Sequence, residues 1–282
     1  MSVETIGTAR SDTAPSIHHV PTPSPAFRVT DAVVAYDRTP VLRGVTFDVP
    51  AGETLAILGP NGSGKSTLMR AMLGITPLAG GRIDVHGVAL RRFRDWSRIG
   101  YVPQRLSVGG GVPATVREVV ASGQVARRRR LRRATAADRA AVAEALDTVG
   151  LTDRAGASVH ELSGGQQQRV LIARALAGGP DTFIMDEPMA GVDAESQRAL
   201  AATIARLGEQ GATVVLVLHE LGPLEPLIQR ALVLSEGILT HDGPAPRPTG
   251  DCARPGHVHV HPHADGAPAL PAAPHIEVPH YE

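Results

Sequence analysis

Short β-branched runs alternate with helix-period patterns through the middle of the chain, and that alternation predicts an α/β core. Phe27–Ala35, Val45–Val49 and Thr54–Leu58 read as strands, followed by Ile99–Val102, Thr182–Met185, Thr213–Leu218 and Ala231–Leu234. Apolar positions at helical spacing predict helices over Ser66–Leu73, Ala136–Val149, Gln166–Ala177 and Ala194–Leu207. The stretch from about 106 to 159 lacks convincing strands and contains the alanine-rich Ala136–Val149, so it reads as a helical insertion. Regular periodicity spans 26–243. Residues 1–25, rich in Ser, Thr and Pro, read as a disordered extension, and 244–282 as a flexible His/Pro-rich tail.

Composition sharpens this picture in a few places. With 282 residues, 43% of them hydrophobic, the chain can bury a sizeable core. It shows no internal repeat. No run approaches the roughly 20 apolar residues of a membrane-spanning helix. The N-terminus lacks a basic start followed by an apolar core, so a secretory signal is not expected and the predicted location is cytosolic. A formal net charge of zero gives no global electrostatic reason to expect nucleic acid as partner. Cys252 is the only cysteine, which excludes a disulfide framework or a cysteine zinc site within one chain. Lys65 is the only lysine; arginine supplies every other fixed positive side-chain charge. A compact ammonium stands where a planar guanidinium would serve a phosphate cradle poorly.

That lysine belongs to Gly59-Pro60-Asn61-Gly62-Ser63-Gly64-Lys65-Ser66-Thr67, which fits the phosphate-loop pattern between an apolar strand and a helix. Glycines let backbone N–H groups converge on phosphate oxygens, and the helix N-terminus favours the anion. Lys65 is placed to neutralise the β and γ phosphates, and the Ser66 hydroxyl to ligate Mg2+. Further on, Thr182-Phe183-Ile184-Met185-Asp186-Glu187 is an apolar strand ending in two acids. Two acids after a strand can be an ordinary solvated turn. Paired with a phosphate loop, Asp186 is expected to hold the Mg2+ shell and Glu187 to polarise an attacking water.

Leu162-Ser163-Gly164-Gly165-Gln166-Gln167-Gln168-Arg169 precedes a strong helical segment that Ser163 can cap. With this stretch the sequence resembles the ABC transporter ATPase family over roughly residues 28–242. The resemblance implies a P-loop NTPase cassette with a RecA-like core, an antiparallel β subdomain and a helical insertion, using ATP and Mg2+. It implies that Leu162, Ser163, Gly164, Gly165 and Gln166, the signature of that family, close over the γ-phosphate held by the other subunit's loop. Two cassettes, as a homodimer, would then sit on separate membrane permease subunits at the cytoplasmic face of the cell membrane, with an extracytoplasmic solute-binding protein and no nucleic acid. By position, Tyr36 corresponds to the aromatic that stacks on adenine, and Gln104 to the glutamine that contacts Mg2+ and senses the permease. Asp193 matches the loop aspartate that communicates across the dimer, and His219 the histidine that contacts the γ-phosphate. Glu187, His219, Gln104 and Lys65 are thus the expected catalytic set.

Flanking sequences look like those of zinc and manganese importers: Tyr101-Val102-Pro103-Gln104, Val112–Val120, Glu187-Pro188-Met189-Ala190-Gly191-Val192-Asp193 and Leu218-His219-Glu220-Leu221-Gly222. Met189 departs from the more usual threonine, which affects packing rather than chemistry. The tail holds His257, His259, His261, His263, His275 and His280, half of the chain's histidines. Their alternation suits Zn2+ or a similar borderline metal; a solvated segment is the alternative. Arg127–Arg133, broken only by Leu131, reads as a solvated helix face, with lipid headgroups or an acidic permease face as the other reading. Transport of another solute, import or export, and a non-transport ATPase of the same family are the functional alternatives.

Overall fold

The computed structural model describes residues 24–104, 114–127 and 133–246. The chain starts with β1 (Phe27–Tyr36) and β2 (Thr39–Val49), antiparallel across a two-residue turn in which Asp37 and Arg38 take φ of 47° and 68°. Left-handed values at both central positions match the twist of a hairpin and bring the strands back without splaying them. β3 (Thr54–Leu58) is buried at every position and leads into α1 (Lys65–Met72). β4 (Gly80–Val85) and β5 (Val88–Ala89) make a second hairpin before β6 (Ile99–Val102). Next come α2 (Val116–Ser122), α3 (Ala136–Thr148), α4 (Gly164–Ala177) and β7 (Thr182–Asp186). α5 (Ala194–Glu209), β8 (Thr213–Val217), β9 (Arg230–Ser235) and β10 (Ile238–Gly243) follow.

Two sheets result: a four-stranded antiparallel sheet in the order β2-β1-β4-β5, and a six-stranded sheet in the order β10-β9-β3-β8-β7-β6. The larger sheet is parallel except for its edge strand β10. Period-2 alternation divides its side chains between two cores. Leu55 and Ile57 of β3 pack with Phe27, Val29, Met69 and Met72, on the side of α1 and the smaller sheet. Ala56 and Leu58 pack on the opposite face with Leu171, Ile172 and Ile204. Strands covered on both faces read as near-continuous apolar runs, as β3 and β8 do after their first residues, Thr54 and Thr213. Burial of each large aliphatic side chain stabilises the fold by about 1.5–3 kcal/mol. Among the described residues, no helix is long and apolar enough to cross a membrane.

The fold class expected from the sequence is the one observed, a mixed α/β chain with parallel and antiparallel sheets. β2 is longer than predicted, starting at Thr39 rather than Val45, because residues on its exposed face carry no apolar signal. β4, β5, β10 and α2 were not anticipated. β10 alternates exposed and half-buried positions on a sheet edge, so it lacks the apolar run of an inner strand. The tail histidines, Val112 and residues 128–132 of the arginine run lie outside the described residues.

Candidate functional site

Four adjacent parallel strands, β3, β8, β7 and β6, deliver the predicted site residues to one edge of the sheet. The phosphate loop follows β3, His219 follows β8, Asp186 and Glu187 end β7, and Gln104 follows β6. The carboxyl ends of strands in an open α/β sheet are where its ligands sit.

Glu187 is the point where three of these strands meet. Its backbone takes φ 46°, a left-handed value that strains a residue with a Cβ by about 1 kcal/mol or more. Two backbone bonds hold it there: its N–H donates to Val217 O at 2.9 Å, and its carbonyl accepts from Ala190 N at 3.1 Å. The turn aims the carboxylate between its neighbours. Gln104 Nε2 donates to Oε2 at 2.5 Å, and His219 Nε2 lies 2.5 Å from Oε1. Beside it, burial and then the Glu187 charge push the Asp186 carboxyl above its ordinary value of 3.8, against the opposing pull of Arg70, Lys65 and His219. A site that makes a carboxylate hard to ionise favours the arrival of a cation.

The phosphate loop is built for an anion. Gly59 takes φ 147°, and a Cβ there would come within 2.2 Å of Leu234 O; only glycine fits. Gly64 takes φ 105° directly before α1, and α1 has no side-chain cap. α2, α3, α4 and α5 all have one, so the first-turn amides of α1 are left for an acceptor from outside the helix. Ser63 Oγ is buried and has no hydrogen-bond partner among the described residues. Lys65 Nζ donates to Gly59 O at 2.7 Å and Pro60 O at 3.0 Å, and among the described residues no carboxylate lies within ion-pair distance of it. Burial lowers its pKa, partly offset by the Glu187 and Asp186 charges. An uncapped helix, an orphan hydroxyl and an ammonium bonded only to carbonyls suit nucleotide phosphates. The Ser66 hydroxyl and Asp186 suit the accompanying Mg2+.

The signature residues sit elsewhere. Ser163 Oγ accepts from Gln166 N at 3.3 Å, and Gln166 Oε1 accepts from Ser163 N at 3.0 Å, closing a capping box on α4. Asp193 Oδ1 accepts from Glu195 N at 3.1 Å and Ser196 N at 2.9 Å, capping α5. The two helix starts touch: a Cβ at Gly165 would come 2.5 Å from Ser196 Oγ and 3.1 Å from Asp193 Oδ2. Leu162 is buried, while Gly164 is exposed. Among the described residues no hydrogen bond joins 162–166 to the phosphate loop. Tyr36, the last residue of β1 rather than the one after it, is 46% exposed, its hydroxyl 3.5 Å from Thr76 Oγ1. Met189 packs against the core.

Arg70 was missed by sequence reasoning, although its charge acts on Asp186. The signal was helical spacing: four residues after Ser66, it shares that residue's face of α1.

The family model described as "ABC transporter" matches residues 42–190. The chain is 44% identical to the manganese transport system ATP-binding protein of Bacillus subtilis (strain 168), over 72% of this chain and 81% of that one. It is 39% identical to the zinc transport system ATP-binding protein of Treponema pallidum (strain Nichols), over 76% and 80%. Among solved structures, a dimeric post-hydrolysis state of the ATP-binding cassette MJ0796, bound to ADP and Pi, superposes with a TM-score of 0.69 at 26% identity, over 78% of this chain and 99% of that one. A family match across the phosphate loop, the signature and the paired acids, together with relatives alike over most of their length, means that the chain belongs to the ABC transporter family as an ATP-binding subunit, an ATPase coupled to transport.

Proposed function

We propose that the chain powers import of a divalent metal ion, zinc or manganese, as one of two identical cassettes at the cytoplasmic face of the membrane. Separate permease subunits form the path, and an extracytoplasmic solute-binding protein delivers the cargo. The observation that carries the cargo is the likeness, over about three quarters of this chain, to manganese and zinc transport ATP-binding proteins. Pairing is supported by the separation of phosphate loop and signature within one chain, each of which a second copy would complete.

Within this reading Glu187, held on both oxygens, orients a water and accepts its proton. Gln104 and His219 fix that carboxylate, and His219 also faces the γ-phosphate. Lys65 and the α1 amides balance phosphate charge, Ser66, Gln104 and Asp186 hold the Mg2+ shell, and Tyr36 stacks on adenine. Mg2+, when bound, neutralises charge on the phosphate oxygens. The residues at 162–166 and Asp193 serve the opposing subunit. The tail histidines, from His257 to His280, take up Zn2+ and adjust transport.

The test is reconstitution of the full chain with its permease subunits in vesicles. ATP-dependent accumulation of radiolabelled zinc or manganese, lost in Glu187→Gln, is the expected result. ATP hydrolysis stimulated by a different solute, with no uptake of either metal, would overturn the cargo.

A further inference from the structure

Two contacts flank the parallel β6–β7 ladder, one just outside each end. At the starting end, Arg98 Nε and Nη2 both donate to Asp181 Oδ2, at 2.8 and 2.6 Å. At the finishing end, Gln104 Nε2 donates to Glu187 Oε2. Both pairs are separated by 83 residues, the offset of the whole ladder from Ile99↔Thr182 to Val102↔Met185. No bulge interrupts the ladder, and Gln104 and Glu187 each lie two residues beyond its last pair, Val102↔Met185.

Asp181 is itself anchored on its other side. Its Oδ1 accepts from the Thr182 hydroxyl at 2.9 Å and lies 3.4 Å from His86 Nε2. His86, whose side chain is 8% exposed, sits between β4 and β5, so the smaller sheet is tied to the same carboxylate. Asp181 O also accepts from Thr213 N at 2.9 Å, at the start of β8. The starts of β6, β7 and β8 therefore share one junction, while Gln104, Glu187 and His219 share another at their ends.

We propose that Arg98 and Asp181 are positioning residues: by locking the axial register of β6 against β7, they set the Gln104–Glu187 contact at the opposite end of the ladder. The inference rests on the reading of Glu187 as the group that activates water. The side chains of Arg98 and Asp181 are 40% and 49% exposed, and a pair so exposed stabilises a fold only slightly. Its geometry is nonetheless specific. Two guanidinium donors on one oxygen fix position along the strand, and small displacements of catalytic groups reduce rate far more than they reduce stability.

The experiment is a mutant cycle on ATP hydrolysis by the full chain assembled with its permease subunits, with melting temperatures measured in parallel. Arg98→Ala should lower kcat about three- to tenfold, keep KM for ATP within about twofold, and be partly restored by Arg98→Lys. In a Gln104→Ala background the same substitution should lower kcat less than about 1.5-fold while lowering the melting temperature as before. If Arg98→Ala fails to fold, Asp181→Asn, which keeps the shape and weakens the contact, is scored in the same cycle. Equal kcat losses in both backgrounds, or none in either, would overturn the inference. Wild-type hydrolysis by Glu187→Gln, run alongside, would instead overturn the reading on which it rests, and the inference with it.

Discussion

His219 Nε2 lies 2.5 Å from Glu187 Oε1, an imidazole from the end of β8 against a carboxylate from the end of β7. With Gln104 on the other oxygen, Glu187 cannot turn away from the edge of the sheet where the phosphate loop lies. Glu187→Gln keeps this shape and removes the charge. Hydrolysis should fall about 100-fold or more, with ATP affinity within about threefold of wild type, as read by steady-state turnover and titration with a fluorescent nucleotide. Normal turnover in the assembled complex would remove Glu187 from its role.

Lys65 holds its ammonium on Gly59 O and Pro60 O, ready to exchange neutral acceptors for phosphate oxygens. Lys65→Ala should weaken ATP binding about 10- to 100-fold, the worth of a charge-assisted hydrogen bond. Calorimetric titration that gave unaltered affinity would contradict the phosphate-loop assignment.

Asp186 yields a prediction with a pH signature. Its folded pKa is raised above 3.8, by burial first and Glu187 second, so the folded state binds its proton more tightly than the unfolded state does. The resulting destabilisation is absent well below pH 3.8 and complete once pH exceeds the raised folded value. Asp186→Asn should therefore raise the melting temperature of the nucleotide-free chain by about 1–3 °C at neutral pH, with the gain shrinking on acidification. The same variant should lose the Mg2+ dependence of nucleotide binding. A gain that grew as pH fell would be the wrong sign.

Two copies of the chain should pair under Mg-ATP when Glu187 is disabled, each nucleotide held between Gly59–Thr67 of one and Ser163–Gln166 of the other. Omitting Mg2+ should weaken the pair. Light scattering that found Glu187→Gln monomeric at saturating Mg-ATP, alone and with its permease, would rule this arrangement out.

The histidine tail is tested by titrating zinc into the full chain and into one ending at Ala253. Only the full chain should bind through the tail. Binding should fade below pH about 6.5 as imidazoles protonate. Equal uptake by both chains would eliminate the tail as a metal site; lost hydrolysis in the shorter chain would make it part of the engine.

The inner strands were legible because burial on both faces writes itself as an unbroken apolar run, as in the four residues 214–217 of β8. β4 was not, since it opens on Gly80 and Gly81 and buries only Ile83 and Val85. α2 holds three valines in seven residues and so imitates a strand; only Thr115 and Glu118, its capping box, mark it as a helix. The phosphate loop and the acids at 186 and 187 are contiguous motifs at strand ends, and sequence shows such things. The meeting of Arg98 with Asp181 depends on which strands become neighbours, and no local pattern records that.

The missing cap of α1 has a consequence for how the subunit is finished. Among the described residues the other four α-helices carry their own first-turn acceptors in the sequence, whereas α1 carries none. In the proposed function a bound phosphate is the last structural element of that helix, supplied by diffusion and discarded at each turnover. Amide hydrogen exchange in the first turn of α1 should slow on nucleotide binding and recover on release, so that a small part of the fold is made and unmade once per catalytic cycle.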